Sequence, residues 1–159
     1  MSLRHRVEEH VRWSDVDASG IIRWSTYPRF VELAETELFR AAGFPYATVW
    51  DRLDVWLPRV QLHFDYRSPA RLDELLATEI WVGRVGRSSI RLEFAMTKPD
   101  GKLAAEGYLV MVAISRANSQ SVEVPKPLAD ALKPYQDPPD PDPLPPQAGA
   151  EEAKRRSGL

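Results

Sequence analysis

The chain has 159 residues, 43% of them hydrophobic, with 8 Gly, 14 Pro, no Cys and a formal net charge of −2. That suffices for one domain with a sizeable core and is too short for a barrel enzyme or a two-domain dehydrogenase. The missing cysteines exclude disulfides, a thiolate nucleophile, iron–sulfur clusters and Cys-ligated zinc.

No apolar run approaches the ~20 residues of a membrane helix, and the first ten residues, MSLRHRVEEH, lack the apolar centre of a signal peptide. The expected setting is therefore the cytoplasm, with no membrane partner. Nine of the 14 prolines fall at or after Pro125, and from Asp137 the chain reads DPPDPDPLPPQAGAEEAKRRSGL. Such a segment has little to bury, so a domain over residues 1–136 and a proline-rich, disordered tail over 137–159 are expected. The tail holds five acids and three bases, which leaves 18 of each in the remainder. A neutral body argues against nucleic acid as a partner. Residues 15–79 nonetheless carry 11 acids against 7 bases, and residues 80–126 carry 4 against 7. The second half can present an anion site, or merely solvated arginines.

In chain order, Val7, Val11 and Trp13 share a parity that predicts a short, half-buried strand. The turn-like SDVDASG follows. Ser25 and Thr26 are placed to cap a helix whose early Pro28 is tolerated, because first-turn N–H groups lack intrahelical partners. Tyr27, Phe30, Val31, Ala34, Leu38 and Ala41 recur at helical spacing, and Leu33, Phe39 and Ala42 widen the apolar surface, so other structure should wrap this helix. Gly43 is suited to end it in the left-handed conformation, with Pro45 preventing continuation. A short helix over Tyr46–Leu53 is expected next. From Arg59 the period becomes two: Val60, Leu62, Phe64 and Tyr66 alternate with polar residues, which predicts a strand with one buried face. Two further alternating runs, Leu76 to Val82 and Ile90 to Met96, precede a turn at Pro99, Asp100 and Gly101. The strand from Leu103 to Ser115 has a continuous apolar run that marks it as central, and a helix over Leu128–Tyr135 ends the domain. This order predicts an α+β domain, a curled antiparallel sheet of about five strands wrapped around one long helix.

The chemistry-bearing segment is WSDVDASGIIRWSTY, Trp13 to Tyr27. Asp15, Asp17, Ser19 and Gly20 mimic the start of a calcium loop, but position twelve is Thr26 rather than a bidentate Glu, and a strand precedes the loop. The same DxDxS pattern resembles the aspartyl nucleophile loop of haloacid dehalogenases, without the apolar parallel strand or the chain length that motif needs. There is no G-x-S-x-G elbow, Gly-rich phosphate loop or His-rich metal constellation. No metal and no bound cofactor is expected.

A third pattern spans the domain. Trp13 to Leu38, the following Ala41 to Pro45, then Arg67 to Glu74, Val85 to Ser89 and Val124-Pro125 together resemble the hot-dog-fold acyl-CoA thioesterases of the 4-hydroxybenzoyl-CoA thioesterase type, over about residues 5–135. The resemblance implies a hot-dog fold and hydrolysis of an acyl-CoA thioester to free acid and CoA, with CoA present only as part of the substrate. It implies a homo-oligomer, either a dimer or a dimer of dimers, that is, a homotetramer. It also implies Asp17 as nucleophile or general base, and the backbone N–H of Trp24, at the family's helix-start amide, as oxyanion donor. Many bacterial members carry a histidine at the Trp24 position, and no side-chain role is carried over to the indole.

Elementary chemistry agrees with such a site. A thioester carbonyl under attack becomes an oxyanion, which a helix N-terminus holds with free N–H groups and its dipole. A thiolate leaves readily, ordinary thiols having a pKa near ~8.5, so one carboxylate suffices. Asp15 is an alternative acid or a loop-fixing acceptor. Tyr27 either contacts substrate or packs, and His63 either reaches a neighbouring subunit's pocket or stays solvated. Arg84 and Arg87 fall at the turn where related thioesterases contact CoA phosphates; their planar forks suit phosphate, and the competing reading is exposed turn arginines. Two other functions stay open: a non-catalytic hot-dog protein that binds acyl groups or CoA, and a thioesterase acting on acyl-carrier-protein thioesters.

Overall fold

The computed structural model describes residues 2–139. Its elements are β1 (His5–His10), α1 (Tyr27–Ala41), α2 (Tyr46–Leu53), β2 (Val55–Trp56), β3 (Arg59–Tyr66), β4 (Leu75–Val85), β5 (Ser89–Thr97), β6 (Leu103–Val112), β7 (Ile114–Ser115) and α3 (Lys126–Leu132). Short 3-10 turns lie at Trp13–Asp15, Trp24–Thr26 and Lys133–Tyr135. Five strands form one antiparallel sheet in the order β1-β4-β5-β6-β3, and β2 pairs with β7 in a separate ribbon. The architecture is therefore α+β, with a five-stranded antiparallel sheet and one long helix.

Alternation along the strands puts Leu76, Ile80 and Val82 of β4, Ile90, Leu92, Phe94 and Met96 of β5, and Leu109 and Met111 of β6 in the core. α1 sits over β1 and β4 and contributes Phe30, Val31, Ala34, Leu38 and Phe39, while Glu32, Arg40 and Ala41 stay exposed. Val49 of α2 and Leu128 and Leu132 of α3 complete the cluster. Each fully buried Leu, Ile or Phe contributes about 1.5–3 kcal/mol, so this face holds the domain together.

Pro28 occupies the first turn of α1, but neither Ser25 nor Thr26 caps it through its side chain. The 3-10 turn feeds the helix instead, Thr26 N–H donating to the Arg23 carbonyl at 2.9 Å. At the other end Gly43 adopts φ +85°. Its N–H donates to Arg40 at 3.0 Å, and the Phe44 N–H reaches back to Phe39 at 2.9 Å.

Several expectations need correction. β1 stops at His10, so Trp13 lies outside the strand and is 81% exposed. The expected buried face of β3 is reduced to Phe64, which packs against the core: Val60, Leu62 and Tyr66 are exposed because α1 sits over β1 and β4 and leaves β3 uncovered. The expected strand from Leu103 to Ser115 breaks at Ala113, and its last two residues turn away to pair with β2. The terminal helix starts earlier, at Lys126, and becomes a 3-10 turn after Leu132. Asp137 is tied to the sheet: Trp81 Nε1 donates to its carboxylate at 2.9 Å, Arg4 pairs with it at 3.2 Å, and its N–H donates to Val82 at 2.9 Å. Residues 140–159 of the expected tail lie outside the described residues. Among the described residues no helix is long and apolar enough to cross a membrane.

The β3–β6 pairing depends on Gly107, where a Cβ would collide with the His63 carbonyl oxygen and stand 2.9 Å from the Phe94 ring. Gly107→Ala should therefore lower stability by about 2 kcal/mol, measured by urea unfolding. An unchanged midpoint would mean that β3 can shift away at no cost.

Candidate functional site

Backbone pairings fold the loop after β1 back on itself. Val16 bridges Ile22, Asp17 N–H donates to Ile21 at 3.1 Å, and Arg23 N–H donates to the Asp15 carbonyl at 3.0 Å. Ile21 in turn bridges Arg71, and Leu72 N–H donates to Gly20 at 3.1 Å, which seats the loop on the chain leading into β4. At its centre Asp15 is buried. Its two oxygens accept Arg29 Nε at 2.9 Å and Nη2 at 2.5 Å, and Oδ2 also accepts the Arg12 N–H at 2.8 Å. Burial pushes the Asp15 pKa up, but the Arg29 fork and the Arg12 N–H outweigh it and hold the carboxyl below its ordinary value. Asp15 thus locks the loop to α1.

Asp17, two residues on, is exposed. Its Oδ1 accepts the Ser19 hydroxyl and the Ser19 N–H, the latter at 2.8 Å. These bonds, with the charge of Arg23, lower its pKa. It lines a shallow hollow with Trp13, Val16, Ala18, Gly20 and Leu72. Trp24 opens the 3-10 turn upstream of that turn's first hydrogen bond, and its carbonyl accepts the Tyr66 hydroxyl at 3.1 Å. The Trp24 residue as a whole is 77% exposed.

Trp24 shares one hollow with Tyr27 and Tyr66 and another with Pro28, Leu62 and His63. Tyr27 is buried edge-on against Tyr66 at 5.0 Å and Phe64 at 6.2 Å, and burial raises its pKa. His63 stacks on Tyr108 at 5.2 Å with Nε2 3.1 Å from Asp65. The structure therefore brings Trp24, Tyr27 and His63 together. Asp17 lines the neighbouring hollow and belongs to the same loop. Arg84 and Arg87 stand at the opposite end of the sheet. From Leu75, beside the loop, to Arg84 is nine residues of β4, about 30 Å. Arg84 lies opposite Arg91, and the exposed Arg87 is loosely paired with Glu123 at 3.5 Å.

A further cavity of about 430 Å³ opens between α1, α2 and β3, lined by residues that include Val31, Leu62, Leu109 and Trp50. At one end, buried Glu35 meets the Tyr46 hydroxyl and the Arg59 guanidinium. Arg59 also donates to the Tyr46 hydroxyl at 2.7 Å and to the Leu57 carbonyl at 2.9 Å. Burial pushes the Tyr46 pKa far up and pulls that of Arg59 down. This cluster escaped the sequence reading. Its one local signal is a glutamate placed in the apolar stripe between Val31, Ala34 and Leu38. Among the described residues no group of three or more His, Cys, Asp or Glu is arranged to hold a metal ion.

Residues 11–132 match the model of the thioesterase-like superfamily. The Escherichia coli acyl-CoA thioester hydrolase YbgC is 23% identical over 123 residues, covering 77% of this chain and 91% of that protein. Among solved structures, a Staphylococcus aureus protein in complex with CoA superposes with a TM-score of 0.79 at 17% identity, covering 94% of each chain. A 1,4-dihydroxy-2-naphthoyl-CoA thioesterase from Synechocystis gives 0.76 at 16% identity, covering 82% of this chain and 96% of its own. These neighbours share the hot-dog fold.

The locked loop makes a pH-dependent prediction. A carboxyl with a depressed folded pKa adds stability above its unfolded value, near ~3.9, and loses it as pH falls through the folded pKa. Asp15→Asn should cost about 2 kcal/mol at pH 7, between the surface and fully buried limits for an ion pair. In urea unfolding the gap to wild type should narrow below about pH 4. A gap that stays constant to lower pH would assign the cost to packing instead.

Proposed function

The chain belongs to the thioesterase-like superfamily, and on that premise we propose that it hydrolyses acyl-CoA thioesters to free acid and CoA. The observation that carries the reading is the loop–helix junction. An exposed carboxylate, Asp17, held ionised by Ser19, and an N–H at Trp24 that opens a helix-leading turn belong to one loop, which Asp15 and Arg29 pin to α1. The name of the Escherichia coli relative and the CoA bound by the Staphylococcus aureus neighbour support the same substrate class.

In this reading the thioester carbonyl oxygen accepts the Trp24 N–H, and the N-terminal end of the α1 dipole stabilises the tetrahedral oxyanion. Asp17 either attacks the carbonyl carbon, forming an acyl-aspartyl anhydride that water cleaves, or takes the proton of an attacking water. On either route the C–S bond breaks, the CoA thiolate leaves, and it takes a proton from solvent. One chain leaves the hollow beside Trp24 open along the unpaired edge of β3, where Val60 and Leu62 are exposed. A second copy paired on that edge closes it, so the working unit is a homodimer or a dimer of dimers. Arg84 and Arg87, remote from their own loop, are then available to the CoA phosphates of another subunit's site.

An acyl-CoA panel read by free-thiol release tests this. Asp17→Asn and Asp17→Ala should each lower kcat by about 100-fold or more, and undiminished turnover in both would remove Asp17 from the mechanism. Saturable CoA binding with no turnover of any thioester would make the protein a binder instead. Arg87→Ala should raise KM for CoA thioesters and leave KM for the same acyl group on a carrier protein unchanged. An equal rise for both would exclude phosphate contact.

A further inference from the structure

The hollow beside Trp24 and the cavity that reaches Glu35 share Pro28 and Leu62, so together they form one trough that starts at the Trp24 turn and runs along α1. Pro28 to Glu35 is seven residues of helix, about 10 Å. The walls are apolar and aromatic, but the far end is charged. An ion pair such as Glu35–Arg59 at the end of an apolar channel contributes little to stability, which makes the cluster a candidate for recognition.

Its charge does not balance. Glu32 lies three residues before Glu35 on the same helix face and lines the same cavity, so two carboxylates meet one guanidinium. Arg59 is already committed to Glu35, Tyr46 and the Leu57 carbonyl, and Glu32 acts on both Tyr46 and Arg59 through its charge. The half-exposed indole of Trp50 forms part of the wall beside these acids. Resting on the thioesterase reading, the geometry points to a substrate class: an acyl chain spanning about 10 Å whose far end carries an ammonium group. The ammonium supplies the missing positive charge to Glu32 at the end of the trough where Trp50 lines the wall. A chain ending in a carboxylate meets the surplus negative charge, and a plain alkyl end leaves that charge uncompensated.

Binding of non-hydrolysable thioether analogues of 8-aminooctanoyl-CoA, nonanoyl-CoA and nonanedioyl-CoA, measured by calorimetry, separates these ends at matched length. The ammonium form should bind about fivefold tighter than the nonanoyl form, the ceiling for a solvent-screened charge pair, with the dicarboxylic form weakest. The preference should shrink as salt is raised and fall to parity in E32Q, a substitution at an exposed position. Tighter binding of the nonanoyl form, or a preference that survives E32Q, would overturn the assignment. Turnover of the hydrolysable thioesters is scored separately. Preference without turnover would sink the thioesterase reading alone, and turnover without preference would sink this one.

Discussion

One helix cannot cover this sheet. A helix is about 10–12 Å across, whereas five strands at their usual spacing span about 19 Å, so the seat of α1 decides what stays open. α1 sits over β1 and β4 with α2 against it, Leu128 and Leu132 of α3 add to the core, and the deficit falls on the β6–β3 side. There β3 keeps one free backbone edge and exposed Val60, Leu62 and Tyr66. The trough from Trp24 to Glu35 is the space left between that edge strand and the helix. The uncovered side of β3, a liability for a strand with a free edge, thus leaves room that the proposed reading gives to a ligand and to a second copy.

Two acids in one loop illustrate how position divides labour. Asp15 faces inward and spends both oxygens on Arg29 and the Arg12 N–H, so its charge is consumed in holding the loop against α1. Asp17 faces outward, and both of its contacts with Ser19 fall on Oδ1. Its own fixation is local, and Oδ2 keeps its lone pairs for solvent or substrate. A nucleophile or base needs this combination of a rigid platform and an uncommitted oxygen, and the platform is what the buried Asp15–Arg29 pair supplies. Tyr66 adds a second tie, its hydroxyl on the Trp24 carbonyl linking the edge strand to the turn that presents the candidate oxyanion donor.

What could be read from the sequence follows from how far each relation reaches along the chain. The helix over Tyr27 to Ala41, its Gly43 terminator and the alternating runs of β4 and β5 depend on neighbours within a turn or a strand, and their periods state them directly. The alternation in β3 is just as regular as that in β4, yet β3 lies at an edge and β4 between two strands. Alternation records which residues share a face, and only the seat of α1, over β1 and β4, decides whether that face is covered. Glu35 stood out as a charge in an apolar stripe, but its partners Tyr46 and Arg59 lie 11 and 24 residues further on, beyond any local rule. Arg84 and Arg87 follow the same logic. Their turn is evident from the sequence, while their distance from Asp17 is set by β4, which starts beside the loop and carries the turn to the other end of the sheet. On the proposed reading, a site that draws on the loop, the helix terminus and that remote turn needs a second subunit, because β4 holds the loop and the turn of one chain apart.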